Sequence, residues 1–139
     1  MPLHLIYSAK GVFSPSDKEA IAQNITNIYG VTLPKFYVVV VFVDVDEDSI
    51  YVGGKPNSRF VRLVTQHLAR EKTDPERAEM VVNKIQNALA PYVHDRGLDW
   101  ETHVEWMDRE GWRENGLRPP MPETEAEKLW KELDKPVPY

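Results

Sequence analysis

Cysteine is absent from the 139-residue chain, which excludes a disulfide framework, a thiolate nucleophile and a cysteine-ligated metal. Positive charge is scarce: Lys plus Arg number 17 against 22 Asp plus Glu, for a formal net charge of −5. A sequence-independent grip on nucleic acid needs the opposite balance, so no nucleic-acid partner is expected. Long apolar runs are missing. The longest, Phe36 to Val43, is far too short to cross a bilayer. The opening MPLHLIYSAK has neither a basic segment nor a long apolar one, so it does not read as a secretory signal. No membrane partner is expected, and the expected location is cytoplasmic. A phosphate-cradling loop is also lacking, because Gly53-Gly54-Lys55 has the wrong spacing and does not open a helix. His4, His67, His94 and His103 show no metal-ligand spacing. Neither a metal nor a cofactor is expected.

What remains is an ordinary globular composition, 42% hydrophobic and 28% charged, at one domain's length. Leu3 to Tyr7 reads as a short strand following Pro2. Ser14 is a helix N-cap, Pro15 suits the first helical position, and Asp17 stands where a capping box places an acid. Ile21, Ile25, Ile28 and Tyr29 recur at helical spacing, which predicts a helix over residues 15–29 ending at Gly30. The unbroken apolar run Phe36 to Val43 predicts a central strand buried on both faces. Ile50 to Val52 reads as a short extended piece before the Gly53-Gly54 turn.

A second unit follows. Residues 59–68 have strand composition. Asp74 and Pro75 start a second helix. Its apolar stripe runs from Ala78 through Val81, Val82, Ile85, Ala88 and Leu89 to Tyr92, with Pro91 bending or ending it. A last strand is predicted around Thr102 to Met107. The order is therefore β-α-β twice, an element-level repeat without a residue-level one. The implied class is α+β: tandem β-α-β units in a four-stranded sheet with both helices on one face. The other face then needs a cover, either the chain's own tail or another subunit, and an oligomer is expected. The tail carries Pro119, Pro120, Pro122, Pro136 and Pro138 around a short amphipathic helix, Glu123 to Leu133. Trp130 and Leu133 are too apolar for a solvated tail. Residues 119–139 are thus read as an ordered arm of the single domain formed with 1–118.

Pro2 carries the most chemistry. Methionine removal is expected when the second residue is small, and it would leave a secondary amine at the start of a strand. Burial and nearby cations lower the pKa of such an amine and make it a base. If Met1 stays, Pro2 has an amide nitrogen and no basicity.

These features together resemble the tautomerase superfamily, and within it the cis-3-chloroacrylic acid dehalogenase group. The resemblance rests on Met1-Pro2 with Tyr7-Ser8, the Ser14-Pro15 helix start, Ala22 through Thr26, Val52-Gly53-Gly54, Leu68-Ala69-Arg70-Glu71, and Glu114 with Gly116. It runs from Pro2 to about residue 130. It implies a β-α-β repeat assembled as a homotrimer with the amino-terminal proline at the base of each pocket. It implies that Pro2 is catalytic and that Arg70 grips a substrate carboxylate, a task suited to a planar guanidinium. The second arginine of the family's clamp is replaced by Thr73. The family's histidine late in helix one falls on Tyr29, its tyrosine on the last strand near Glu105, and its water-activating glutamate on Glu114.

The implied activity is a cofactor-free tautomerase acting on a small 2-keto, enol or unsaturated carboxylate. Pro2 moves the proton, with Tyr29 and Glu114 as further catalytic candidates and Arg70 and Thr73 as substrate-binding ones. A cis-3-haloacrylate dehalogenase or hydratase is the alternative, and a non-catalytic trimeric binding protein is the rival from another class. Taken singly, these residues have simpler readings. Arg70 suits a surface charge, Tyr29 suits core packing, and Glu114 suits a surface ion pair.

Overall fold

The computed structural model describes residues 1–30, 32–71 and 74–139. Ser14 caps the first helix, α1 (Pro15–Tyr29), through the reciprocal capping box with Asp17. Asp74 caps the second, α2 (Pro75–Leu89), by accepting from the Arg77 N–H. Both helices carry proline in the first turn, where no hydrogen bond is lost. Pro91 ends α2 as expected, and the chain turns through short 3-10 segments at Ala90–Tyr92 and His94–Arg96.

Four strands form one sheet: β1 (Pro2–Ala9), β2 (Val39–Val45), β5 (Phe60–His67) and β6 (Asp99–Trp106), in the order β2-β1-β5-β6. The first two run parallel, as do the last two, and the two pairs meet antiparallel through β1 and β5. This is a tandem β-α-β sheet with α1 and α2 packed side by side. A two-stranded hairpin, β3 (Tyr51–Val52) and β4 (Lys55–Pro56), stands apart. Its Gly53 and Gly54 both have positive φ, which the tight turn demands.

Alternation along the strands places the core. His4, Ile6 and Ser8 of β1 are buried, as are Val61, Leu63, Thr65 and His67 of β5. They meet Ile21, Ile25, Ile85 and Leu89 from the helices, all with no exposed surface. Each such side chain contributes about 1.5–3 kcal/mol of burial. The opposite face carries Leu3, Leu5 and Tyr7, all half-buried.

One sequence expectation needs correcting. The Phe36 to Val43 run is not a central strand buried on both faces. Phe36 and Tyr37 belong to a 3-10 turn, and the strand that follows, β2, is at the sheet edge, paired with β1 alone. Its Val41 is 40% exposed. A continuous apolar run shows that both sides of a strand resist water; it does not show what covers the second side.

The tail folds back. Thr124 caps α3 (Glu125–Leu133), whose Trp130 is fully buried and packs against Phe36 and Tyr37. The Trp130 indole N–H donates to the Val137 carbonyl at 2.7 Å. The arm therefore lies at one end of the sheet and leaves Val41 uncovered. No helix among the described residues is long and apolar enough to cross a membrane.

Candidate active site at the start of the first strand

Pro2 opens β1 and stands opposite His67 in the antiparallel ladder with β5. The Leu68 N–H donates to the Met1 carbonyl at 3.0 Å, so the sheet holds even the first peptide. The amino group of Met1 is buried, and its pKa is pushed down from 8.0 to about 4. Burial is the main cause; Glu114 opposes it, and Arg109 and Arg70 add to it. The chain's amino end thus lies among charges from separate elements: Arg70 after β5, Arg109 and Glu114 after β6, and Glu127 on α3.

Arg70 is held on every side. It donates to both carboxylate oxygens of Glu127 at 2.9 and 3.1 Å, to the Ala69 carbonyl at 2.9 Å and to the Thr32 carbonyl at 2.8 Å. Glu127 is 3% exposed and also accepts the Glu123 N–H at 2.9 Å. Breaking one partner of such a buried pair leaves the other uncompensated. The bidentate geometry expected of Arg70 toward a ligand carboxylate is therefore present, but an internal carboxylate occupies it.

Tyr29 ends α1 and is buried. Its hydroxyl lies 3.2 Å from His4 Nε2, and His4 Nδ1 lies 2.8 Å from the Thr65 hydroxyl. Burial raises the Tyr29 pKa, so the phenol keeps its proton. It lowers His4 to about 3, with His67 adding to the effect, so the imidazole is neutral. His67 is lowered to about 4, chiefly by burial.

Glu114 sits in the loop after β6. One carboxylate oxygen accepts the Trp112 indole N–H at 3.0 Å, and its backbone bridges to Leu117 in both directions. The turn between them, Asn115-Gly116, has positive φ at both positions, which explains the glycine two residues after the glutamate. Thr73 lies outside the described residues. Glu105 points away from this site, pairing with Gln66 at 3.1 Å and His103 at 3.3 Å on the other sheet face.

A cavity of about 120 Å³ takes in Tyr29 and Arg70, while Pro2 and Glu114 lie outside its lining. Tyr29, His67 and Trp106 line it, with Arg70, Arg77 and Lys84 also at its walls. A neighbouring groove of about 330 Å³ shares Arg70 and Arg77 and adds Arg109. Of the residues expected from sequence, Pro2, Tyr29, Arg70 and Glu114 gather at this end of the sheet. Sequence reading does not single out Arg77, Arg109 and Trp106, and it says of His67 only that its spacing is not that of a metal ligand. The strand parity that puts Trp106 beside His67 was available; the loop and helix arginines left no such signal.

Comparison with known proteins identifies the family and the fold. The Tautomerase_3 family model, oxalocrotonate tautomerase-like, matches residues 1–135. RhCC from Rhodococcus jostii RHA1 is 41% identical over 99% of this chain and 99% of its own, with a TM-score of 0.95. A protein of Aspergillus fumigatus described as "a probable enzyme" is 36% identical over 100% of this chain and 98% of its own, with a TM-score of 0.93. N1, a member of the cis-3-chloroacrylic acid dehalogenase family, shares the fold at 19% identity, a TM-score of 0.70 and coverage of 95% and 97%. No curated protein matches. The fold and the family match define a tautomerase-superfamily protein. Within that class, the chain belongs to the oxalocrotonate tautomerase-like family.

Proposed function

We propose that the protein is a cofactor-free tautomerase or isomerase-type enzyme acting on a small 2-keto, enol or unsaturated carboxylate. In this reading Met1 is removed and the Pro2 amine is the base. The observation that carries it is the amino end itself: half-buried, held by the sheet, and set among Arg70, Arg109 and Glu114. Burial and the two arginines favour the neutral amine, the form that takes a proton. Keto–enol exchange needs one such base and positive charge near the developing enolate oxygen. Arg70 contributes charge at the cavity wall while its fork rests on Glu127. Tyr29 keeps its proton and serves as a donor. Glu114 has a carboxylate oxygen free of the Trp112 bond and is the candidate for activating water, which leaves a cis-3-haloacrylate hydratase or dehalogenase as the alternative. The half-buried apolar sheet face supports assembly into a homotrimer, with a small carboxylate as the other partner.

A non-catalytic binding protein is favoured by one observation: Met1 fits the ladder, its carbonyl bonded to Leu68. Intact mass separates the two readings first. Loss of the methionine is required for catalysis. The Met-free protein is then assayed on the enol of phenylpyruvate and on a 3-haloacrylate, beside Pro2→Ala. The expected result is ketonisation that falls by at least about a hundredfold in the variant, the low end for a lost acid–base group. A retained Met1, or a Met-free protein inactive on both acids, supports the binding protein.

A further inference from the structure

Two opposed charges at the amino end hang on one side chain. The segment after β6 turns through a short 3-10 helix, Arg109–Gly111, and Trp112 closes it by donating its backbone N–H to the Arg109 carbonyl at 3.0 Å. The Arg109 guanidinium lies over the Trp112 ring, 5.9 Å from a ring centroid, within cation–π range. Two residues further on, Glu114 accepts the Trp112 indole N–H at 3.0 Å. Trp112 itself is fixed. It is 5% exposed and packs edge-on against Tyr37, with ring centroids 4.7 Å apart.

The charges of this cluster are not held equally. Arg70 and Glu127 are tied to each other. Arg109 has a second hold, donating from Nη2 to the Pro119 and Pro120 carbonyls at 3.4 and 2.9 Å. The Glu114 carboxylate has the indole N–H alone among the described residues. The Asn115-Gly116 turn constrains its backbone and leaves the side chain its rotamers. These groups face an amine at the chain start from three elements. After β6, Glu114 raises its pKa and Arg109 lowers it; after β5, Arg70 lowers it; on α3, Glu127 raises it. The nearby His67 of β5 is neutral. Glu114 is thus the charge whose place depends on a single bond.

We propose that Trp112 is the positioning residue of this cluster: its indole N–H fixes the Glu114 carboxylate near the amino end, and its ring face seats Arg109. The chemistry suits the task. An indole N–H donates and does not accept, so it holds one carboxylate oxygen and leaves the other available. A phenylalanine in its place would still seat Arg109 but would release Glu114. For its part in turnover this role rests on the tautomerase reading, because a reactive amine or an activated water is what uses the placement. The hold itself is measured without turnover.

The test is titration of the chain's amino group by nitrogen NMR, on the Pro2 amine of Met-free protein or on the Met1 amine where the methionine stays. Urea unfolding first shows that each variant is folded. Trp112→Phe is expected to lower the amine pKa, in the direction of Glu114→Gln and by less, because a released carboxylate turns partly to solvent and supports the ammonium form less. In a Glu114→Gln background the same substitution is expected to add no shift. An amine pKa that stays or rises in folded Trp112→Phe overturns the proposal, as does an undiminished fall in the Glu114→Gln background. If Trp112→Phe does not fold, Glu114→Ala asks the question from the other side. The Trp112 indole N–H resonance is then expected to move while that of Trp130, bonded to Val137, stays. An unmoved Trp112 resonance overturns the hold. A protein that ketonises phenylpyruvate through Pro2 while its titration ignores Trp112 keeps its activity and loses this role. A titration that follows Trp112 in a protein without turnover does the reverse.

Discussion

At the residue scale, the amino end is tuned by opposed charges. Glu114 raises the pKa of an amine placed there, and Arg109 and Arg70 lower it. In the Met-free protein, kcat/KM is expected to rise along an acid limb as the Pro2 amine loses its proton. Glu114→Gln removes the group that favours the ammonium form, so the limb moves to lower pH. Arg109→Gln moves it to higher pH. A pH–rate profile of the three proteins checks both signs, and a Glu114→Gln shift to higher pH contradicts the assignment.

The buried histidines give a second residue-scale expectation. His4 and His67 have folded pKa values of about 3 and about 4 against an ordinary 6.5. The unfolded chain therefore takes up protons first. The stability these two histidines contribute is complete above pH 6.5 and is lost as the pH falls toward 4 and then 3. Urea midpoints across pH 7 to 4 should fall for the wild type and fall less for His67→Gln. Equal slopes would show that His67 does not share in the acid sensitivity.

At the element scale, the C-terminal arm belongs to the site as much as to the core. α3 delivers Trp130 to Phe36 and Tyr37, and Glu127 to Arg70. Trp130→Ala is expected to cost about 3–5 kcal/mol, the usual range for removing a buried aromatic. Chemical denaturation measures it, and a loss under 1 kcal/mol would mean that the arm is only loosely attached. The helices were the most legible elements. Ser14-Pro15 with Asp17, and Asp74-Pro75, state their own starts, because capping and proline act within a few residues. The edge strand β2 was not legible as an edge, because pairing is decided by β1, far away in sequence. The Arg70–Glu127 bond was hidden for the same reason. It joins residues 57 apart, and no local pattern marks either as the other's partner. His67 lay between these cases: the strand was plain, but the burial that leaves its Nδ1 without a partner among the described residues depends on the Trp106 ring that only the fold packs against it.

At the scale of the whole molecule, the sheet face opposite the helices is unfinished. Leu3, Leu5 and Tyr7 are half-buried, and Val41 is 40% exposed on the strand beside them. An apolar strip of that kind marks an association surface. Sedimentation is expected to give three times the 16.1 kDa chain mass. Val41→Lys, which puts a charge into the strip, is expected to shift the population toward monomer. A monomeric wild type would contradict the trimer. The two-layer β-α-β arrangement was readable from element order alone, and so was the need to cover a second face. What covers it depends on another chain.

The position of β1 in the sheet also sets an order of events during synthesis. β1 is made before both of its flanking strands, Val39–Val45 and Phe60–His67. Until the second of these docks, the chain end is free in solution. Afterwards Leu68 holds the first peptide and Met1 is half-buried. In the proposed reading, an aminopeptidase that trims Met1 is expected to act faster on the growing chain than on the folded one. Slow trimming would leave a folded population with its methionine locked in place. Overproduction that outruns the peptidase is expected to yield two species differing by one residue in mass, and added aminopeptidase should convert the heavier only after unfolding.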